Sequence, residues 1–207
     1  MRTVLLFAIL ALRVTSLESP IDGYGIVIPE WEVEVTPGGP LANLSGTIED
    51  VHDQLIQLNP TWDEEYAPDL TTDVDGSGTN VARLSRRTDF SGSAYLCRGR
   101  WPECPASTIV DGIRYLQRVS GRPTNGPGPG NCARVSCSYK SAIWWCNDSA
   151  DWKTLAGFES IADGAQFLLD HCAQYKWNGW GYATLVAGQV FHRTNWNVIV
   201  RRDEDKC

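Results

Sequence analysis

The sequence predicts an α+β fold, a two-layer sandwich in which two helices cover one face of a mainly antiparallel sheet and disulfides link the elements. Two observations predict it. Beyond residue 88, helical and strand periodicities follow one another in the order helix, hairpin, helix, hairpin. All seven cysteines lie in that part of the chain, at or after Cys97. This is the pattern of a small extracellular domain stabilised by disulfides.

Residues 1–16 predict a signal peptide. Arg2 supplies a positive charge, an apolar stretch follows, and Val14 and Ser16 are small enough for the −3 and −1 positions of a signal peptidase site. The apolar stretch is shorter than the roughly 20 residues that a membrane-spanning helix needs. We therefore expect a secreted, extracellular protein; an uncleaved membrane anchor is the alternative.

Charge and cysteine content divide the remaining chain near residue 87. Residues 17–87 hold 14 acidic and three basic residues and no cysteine, a net charge of −11. Residues 88–207 hold 13 basic and 11 acidic residues, a net charge of +2. The dibasic pair Arg86-Arg87 at the junction follows a Gly/Ser-rich stretch, where a protease can act. We expect cleavage after Arg87, which separates an acidic pro-segment (17–87, the acidic segment below) from a cysteine-rich α+β domain (88–207, the cysteine domain). The alternative is that the pair is never cut.

The acidic segment contains two predicted elements. Glu32–Val35 alternates like a short strand, and the Pro/Gly sequence 37–40 ends it. A helix capped by Ser45 is expected from Thr47 to Leu58, with its apolar residues on one face. Neither element can form a core alone, which suits docking on the cysteine domain.

The cysteine domain begins with a helix that starts at Ser107 and ends at Gly121. The Gly/Pro loop 122–130 lacks the spacing of a phosphate-binding loop, so no nucleotide cofactor is expected. A hairpin of strands 133–139 and 142–147 is expected next. It is followed by a helix capped by Ser160, which turns Cys172 to the core, and by a second hairpin of strands 186–192 and 196–201.

Seven cysteines cannot all pair within one chain, and the pairing is left open. The disulfide set is predicted to be Cys97, Cys104, Cys132, Cys137, Cys146 and Cys172. The unpaired cysteine is expected near an end of the domain, at Cys207 or Cys97, and a free exposed thiol could link a dimer. The spacing includes no CxxC motif, so disulfides are favoured over a metal site. Asn43 and Asn147 stand in glycosylation sequons.

The histidines of the cysteine domain, His171 and His192, have no local catalytic signature, and no catalytic residue is assigned. A ribonuclease would need a Glu/His/Arg set such as Glu159, His192 and Arg134, but nothing in the sequence brings these together. The net charge of +2 gives little attraction for nucleic acid. We expect no enzyme and no nucleic-acid partner.

Aromatic residues carry the stronger signal, because seven of the nine tryptophans lie in the cysteine domain. Trp177, Trp180 and Tyr182 share a glycine-rich loop. Trp144 and Trp145 are adjacent, so they must face opposite sides of a strand, and Trp145 is assigned to the exposed side. These residues predict a ring platform for sugar faces, lipid headgroups or a partner protein. The alternative is that the indoles of the loop fold down onto the domain.

The runs Gly130–Asp148, Ser160–Gly164 and Asn195–Val200, with Thr88–Gly92 after a dibasic pair, carry a resemblance. The chain resembles a group of small secreted cysteine-rich fungal proteins, most of them uncharacterised. More remotely, its order of helices and hairpins is similar to that of the killer-toxin-like and necrosis-inducing effector families. This resemblance implies a secreted toxin or effector, and it brings no catalytic residues with it.

The leading prediction is a proteolytically matured, non-enzymatic effector or toxin-like protein that binds a protein, glycan or lipid target on another cell. A carbohydrate- or cell-wall-binding module is the first alternative, and a small secreted hydrolase or nuclease is the second.

Overall fold

The structure is a computed structural model that describes residues 17–66, 87–128, 130–204 and 207. The predicted signal peptide and Arg86 lie outside the described residues. Within them the chain is mixed α+β and mostly sheet, with three disulfides, so the α+β class of the prediction is confirmed. None of the helices in the described ranges is long and apolar enough to cross a membrane.

The described part of the chain contains four helices and thirteen strands. The helices are α1 (Ile48–Leu58), α2 (Trp62–Glu65), α3 (Ala106–Arg118) and α4 (Glu159–Cys172). The strands are β1 (Gly25–Val27), β2 (Glu30–Glu34), β3 (Leu41–Ser45), β4 (Tyr95–Cys97), β5 (Cys104–Pro105), β6 (Thr124–Asn125), β7 (Asn131–Ser138), β8 (Ser141–Asn147), β9 (Lys153–Thr154), β10 (Gln174–Trp177), β11 (Tyr182–Val186), β12 (Gly188–His192) and β13 (Trp196–Arg202).

A six-stranded sheet in the order β1-β7-β8-β13-β12-β4 is the centre of the fold. Its pairs are antiparallel except β1 with β7, which is parallel. The predicted hairpins β7–β8 and β12–β13 form its middle. Tyr139 and Lys140 connect the first hairpin with φ angles of 45° and 60°, which suits the right-handed twist of the strands. Smaller sheets join β10-β11-β5, β2-β3 and β6-β9.

Helix α1 begins at Ile48, one residue later than expected. Thr47, not Ser45, is the N-cap: its hydroxyl accepts from the Asp50 amide, and the Asp50 carboxylate accepts from the Thr47 amide. This reciprocal pair is a capping box. The apolar face is present as predicted, with Ile48, Val51 and Leu55 buried. Leu58 is the exception and is exposed.

The main core lies between one face of the central sheet and three helices. Ile109, Ile113 and Leu116 of α3 are buried in it as their spacing predicts. Helix α4 buries Cys172 there. Helix α1 of the acidic segment joins α3 and α4 in this cluster. The prediction of two helices on one face is therefore not reproduced, because the acidic segment contributes to the same layer.

Trp144 and Trp145 do face opposite sides of β8, but neither side is open. Trp145 belongs to the main core and is 2% exposed. Trp144 lies in a second cluster on the other face, with the Cys132–Cys146 disulfide, and its indole N–H donates to Asp203 at 3.0 Å. The assignment of Trp145 to a binding surface is wrong. The reason is that β8 is a central strand, all seven residues of which are buried.

The disulfides pair Cys97 with Cys172, Cys132 with Cys146 and Cys137 with Cys207. The unpaired residue is Cys104, which is fully buried. Two predictions are thus wrong: Cys104 is not part of the disulfide set, and Cys207 and Cys97 are not the unpaired residues. A dimer link through the odd cysteine is not available either, because the Cys104 thiol lies inside the core.

The described part of the acidic segment has no core of its own. Six of its buried residues belong to the same cluster as those of α3 and α4: Trp31, Val33, Ile48, Val51, Leu55 and Trp62. The predicted strand Glu32–Val35 overlaps β2 (Glu30–Glu34), whose alternation buries Trp31 and Val33. Its strand β1 was not predicted; it extends the central sheet beside β7, in register Gly25 with Asn131.

Candidate binding surface

The hairpin β10–β11, called the aromatic hairpin below, carries the predicted ring platform. Trp177 pairs with Tyr182 at its end. The Asn178 amide N–H donates to the carbonyl of Gly181, and the Asn178 side-chain oxygen accepts from the amides of Trp180 and Gly181. Gly179 has a φ of +100°, a conformation that favours glycine. The turn is therefore stabilised by hydrogen bonds among its own residues, 178–181.

The indoles do not fold down onto the protein. Trp180 at the tip of the turn is 95% exposed, and Trp177 and Tyr182 are 58% and 66% exposed. Tyr182 meets the Trp177 ring edge to face, with centroids 5.6 Å apart. A fully exposed tryptophan on a structured turn is unusual for a soluble surface and is typical of a contact residue. The structure brings these three predicted residues together.

Tyr175 completes the surface and was missed. It stacks on Tyr182 with centroids 5.5 Å apart and planes at 25°, and it is 72% exposed. Tyr175 and Trp177 are two residues apart on β10, so they share a face of the strand. That alternation was available in the sequence, but β10 was not predicted as a strand, because its four residues are too few to show a clear period.

The other side of the aromatic hairpin is anchored to the domain. Lys176 points away from the rings and forms an ion pair with Glu103. Leu185 and Val186 pair with β5, at Pro105 and Cys104. The hairpin is thus fixed at its base, while its ring-bearing face and its tip remain open to solvent. Such a rigid arrangement loses little conformational entropy when it binds.

The two predicted glycosylation sites differ in their surroundings. Asn43 is exposed on β3, where a glycan can be accommodated. Asn147 is fully buried, and its side-chain nitrogen donates to the carbonyls of Gly126 at 3.0 Å and Asp151 at 2.8 Å. A glycan at Asn147 does not fit this structure, because the nitrogen that would carry it donates to carbonyls in the two loops that flank the hairpin β7–β8.

The histidines of the cysteine domain are engaged by rings and nearby oxygens. His171 stacks on Phe167 at 3.9 Å, and its Nδ1 lies 2.8 Å from the Phe167 carbonyl. His192 stacks on Trp196 at 4.7 Å and bonds to Thr194. Burial, with the nearby cation Arg193, lowers the pKa of His192 below its usual range.

Arg134 lies on the opposite face of the sheet from His192. Its guanidinium is 5.8 Å from the centroid of the Trp144 ring and pairs with Asp203. A Glu/His/Arg set that includes Glu159 is thus not assembled around one phosphate position. In the described residues no group of three or more His, Cys, Asp or Glu side chains could hold a metal ion.

Comparison of the chain with protein-family models, with curated proteins and with solved structures finds no match. The chemistry of the aromatic hairpin therefore carries the functional argument.

Proposed function

We propose that this chain is a secreted, non-enzymatic effector or toxin-like protein that binds a target on the surface of another cell through its aromatic hairpin. The observation that carries the proposal is the exposure of Trp180, 95%, at the tip of a rigid turn beside Tyr175, Trp177 and Tyr182. Aromatic side chains dominate the energetics of binding surfaces, because each offers a large apolar area with few rotatable bonds.

Three further observations support this proposal. The disulfides suit an oxidising, extracellular compartment. His171 and His192, the natural general bases, are engaged by ring stacks and hydrogen bonds. The order of helices and hairpins resembles that of the killer-toxin-like and necrosis-inducing effector families, with helices on a mainly antiparallel sheet.

A specific observation favours glycans as the target class. The Tyr175 and Tyr182 rings lie within 25° of parallel and, with Trp177, line one face of the hairpin. The C–H faces of pyranose rings stack on such exposed rings, while neighbouring polar groups bond the hydroxyls. In this second candidate the chain is a carbohydrate- or cell-wall-binding module, and the hairpin is its binding site.

The test uses the fluorescently labelled secreted protein on a panel of intact microbial and host cells, and on a glycan array. We expect saturable binding to at least one surface, and Trp180→Ala to weaken it about tenfold or more. Loss of cell binding after protease treatment of the cells assigns a protein target. Saturable binding on the array that Trp180→Ala abolishes assigns a glycan.

Tyr139→Ala is the matched control. Tyr139 is 87% exposed at the turn of another hairpin, β7–β8, so its removal takes away a similar apolar area from a different surface. It should leave binding unchanged. Equal loss in the two variants, or full binding by Trp180→Ala, would contradict a role for the aromatic hairpin.

A further inference from the structure

The acidic segment is packed as a part of the fold, and this bears on its fate after cleavage. Trp31 is fully buried and stacks on Phe158 of the cysteine domain, with centroids 3.8 Å apart. The carboxylate of Glu49 accepts from the Ser136 hydroxyl at 2.5 Å and from the Cys137 amide at 2.8 Å. A buried ring and a paired carboxylate, both directed at the other part of the chain, are features of an obligate interface.

The contacts extend over several sides of the cysteine domain. Strand β1 forms one edge of the central sheet beside β7. The Trp101 indole N–H donates to the Pro20 carbonyl at 3.0 Å, and the Tyr24 hydroxyl donates to Asp148 at 3.0 Å. Removal of the segment would therefore uncover Phe158 in the main core and leave β7 as an unpaired edge, which favours aggregation.

We propose that cleavage after Arg87 produces a two-chain protein, in which the acidic segment remains bound as a non-covalent subunit of the mature molecule. This goes beyond the proposed binding function and does not depend on it. The segment has no cysteine, so no disulfide can hold it to the cysteine domain. Before the cut, the covalent connection through residues 67–86 only raises the effective concentration of the segment at its site. We expect the two chains to remain associated at micromolar protein concentration without that covalent connection.

The test replaces residues 84–87 with Ile-Glu-Gly-Arg, so that factor Xa cuts just before Thr88. We expect the cut protein to give two bands on a denaturing gel and one peak in gel filtration, at the mass of the uncut protein. Trp31→Ala should release the acidic chain, whereas Leu41→Ala, a residue 60% exposed on β3, should not.

Separation of the two wild-type chains at micromolar concentration would overturn the proposal, whether the cysteine domain then stays folded or aggregates. If Trp31→Ala is not secreted, Glu49→Gln serves instead, because it keeps the shape of the side chain and removes its charge. Co-elution that survives both variants would show that the interface described here does not hold the chains.

The start of the cysteine domain, the other product of the cut, is also fixed in the uncut chain. The backbone amide of Thr88 already donates to Oδ2 of Asp163 in α4 at 2.7 Å. Two residues later Phe90 is buried against Trp196 and Phe167. Gly164 makes room for that ring, since a Cβ there would lie 3.0 Å from it. The start of the cysteine domain is therefore held in place beside an acid, while Arg87 is exposed.

We infer that the carboxylate of Asp163 binds the new amino terminus at Thr88. Hydrolysis adds one water across the Arg87–Thr88 peptide bond, catalysed by an endoprotease that recognises dibasic pairs, and leaves a carboxylate on Arg87. The Thr88 nitrogen takes up protons and becomes an ammonium group at neutral pH. The existing hydrogen bond then becomes an ion pair with Asp163, so the cut strengthens a contact that the uncut chain has already formed.

The test compares the melting temperatures of the cut and uncut factor Xa protein. The quantity compared is the change in melting temperature on cleavage, that is, the value for the cut form minus the value for the uncut form. This change should be more positive in the wild type than in Asp163→Asn, by at least about 3 °C. Asp170→Asn, an exposed acid on the same helix, should behave as the wild type. The Thr88 amino group should also be acetylated several-fold more slowly in the wild type than in Asp163→Asn. Equal temperature differences, or equal acetylation rates, would overturn the inference.

Discussion

Trp31 of the acidic segment stacks on Phe158 of the cysteine domain, with ring planes 11° from parallel. One indole from the part of the chain expected to be removed thus lies within the core of the part expected to function. The segment therefore stabilises the cysteine domain directly.

This stack predicts a large loss of stability in the uncut protein when the indole is removed. Trp31→Ala should lower the free energy of unfolding by about 3–5 kcal/mol, because a buried ring and its contacts are replaced by a cavity. Denaturant unfolding followed by circular dichroism measures the loss. Leu41→Ala, on the exposed side of the neighbouring strand β3, should change it by less than about 1 kcal/mol. Similar losses in both variants would argue against the stack.

Cys104 should be inert in the folded protein. Burial raises the pKa of its thiol to about 12, so almost no reactive thiolate is present at neutral pH. A thiol reagent at pH 7.5 should modify no cysteine before unfolding and one after it, as read by intact mass. Cys104→Ala should cost roughly 1 kcal/mol of stability, whereas Cys97→Ala, which opens a disulfide, should cost about 2–5 kcal/mol. Rapid labelling of the native protein would contradict the buried placement.

Glycosylation should distinguish the two sequons. Asn43→Gln should remove the whole glycan mass from the secreted protein, whereas Ser149→Ala, which destroys the second sequon and keeps Asn147, should not change it. Asn147→Gln should instead destabilise the fold by about 2–4 kcal/mol, because its amide satisfies several buried loop carbonyls. Mass spectrometry and thermal unfolding read the two effects. A glycan found on Asn147 of the folded protein would refute this placement.

Stability should fall as the solution becomes acidic, in part through His192. Its pKa in the folded protein lies below the ordinary value of 6.5, because of burial and the cations Arg193 and Lys153, with Asp89 acting weakly the other way. A lowered pKa means that the unfolded chain binds the proton more readily. The contribution of His192 is thus complete above pH 6.5 and is lost as the pH falls from 6.5 through the folded pKa.

Melting temperatures measured between pH 8 and pH 5 test this dependence. The melting temperature of His192→Gln should decline less on acidification than that of the wild type. The decline in His171→Gln should still include the contribution of His192. An unchanged decline in His192→Gln would show that other groups are responsible.

The strongly periodic elements were predictable from the sequence. The spacing of Ile109, Ile113 and Leu116 marked α3, and the two apolar runs around Lys140 marked the hairpin β7–β8. These patterns are reliable because one face of each element must be buried, and the burial repeats with the period of the helix or strand. The ends shifted by a few residues, as at α1, where Thr47 and not Ser45 provides the cap.

The short strands could not be predicted in the same way. Strands β1 and β4 have three residues each, too few to show a period, and they exist because the edges of the central sheet offer unpaired groups. Tyr175 was overlooked for a related reason, since β10 is ordered by pairing with β11, which in turn pairs with β5. Trp145 was placed on the outside because its strand was not known to be central.

The order of residues was enough to infer the local elements, the division of charge near residue 87 and the presence of an unpaired cysteine. Three further features became visible only in the folded chain: this cysteine is Cys104, Cys137 is bonded to Cys207 across 70 residues, and Trp31 stacks on Phe158. The physical reason is that periodicity records which face of an element is buried, whereas partners distant in the sequence depend on how whole elements pack together.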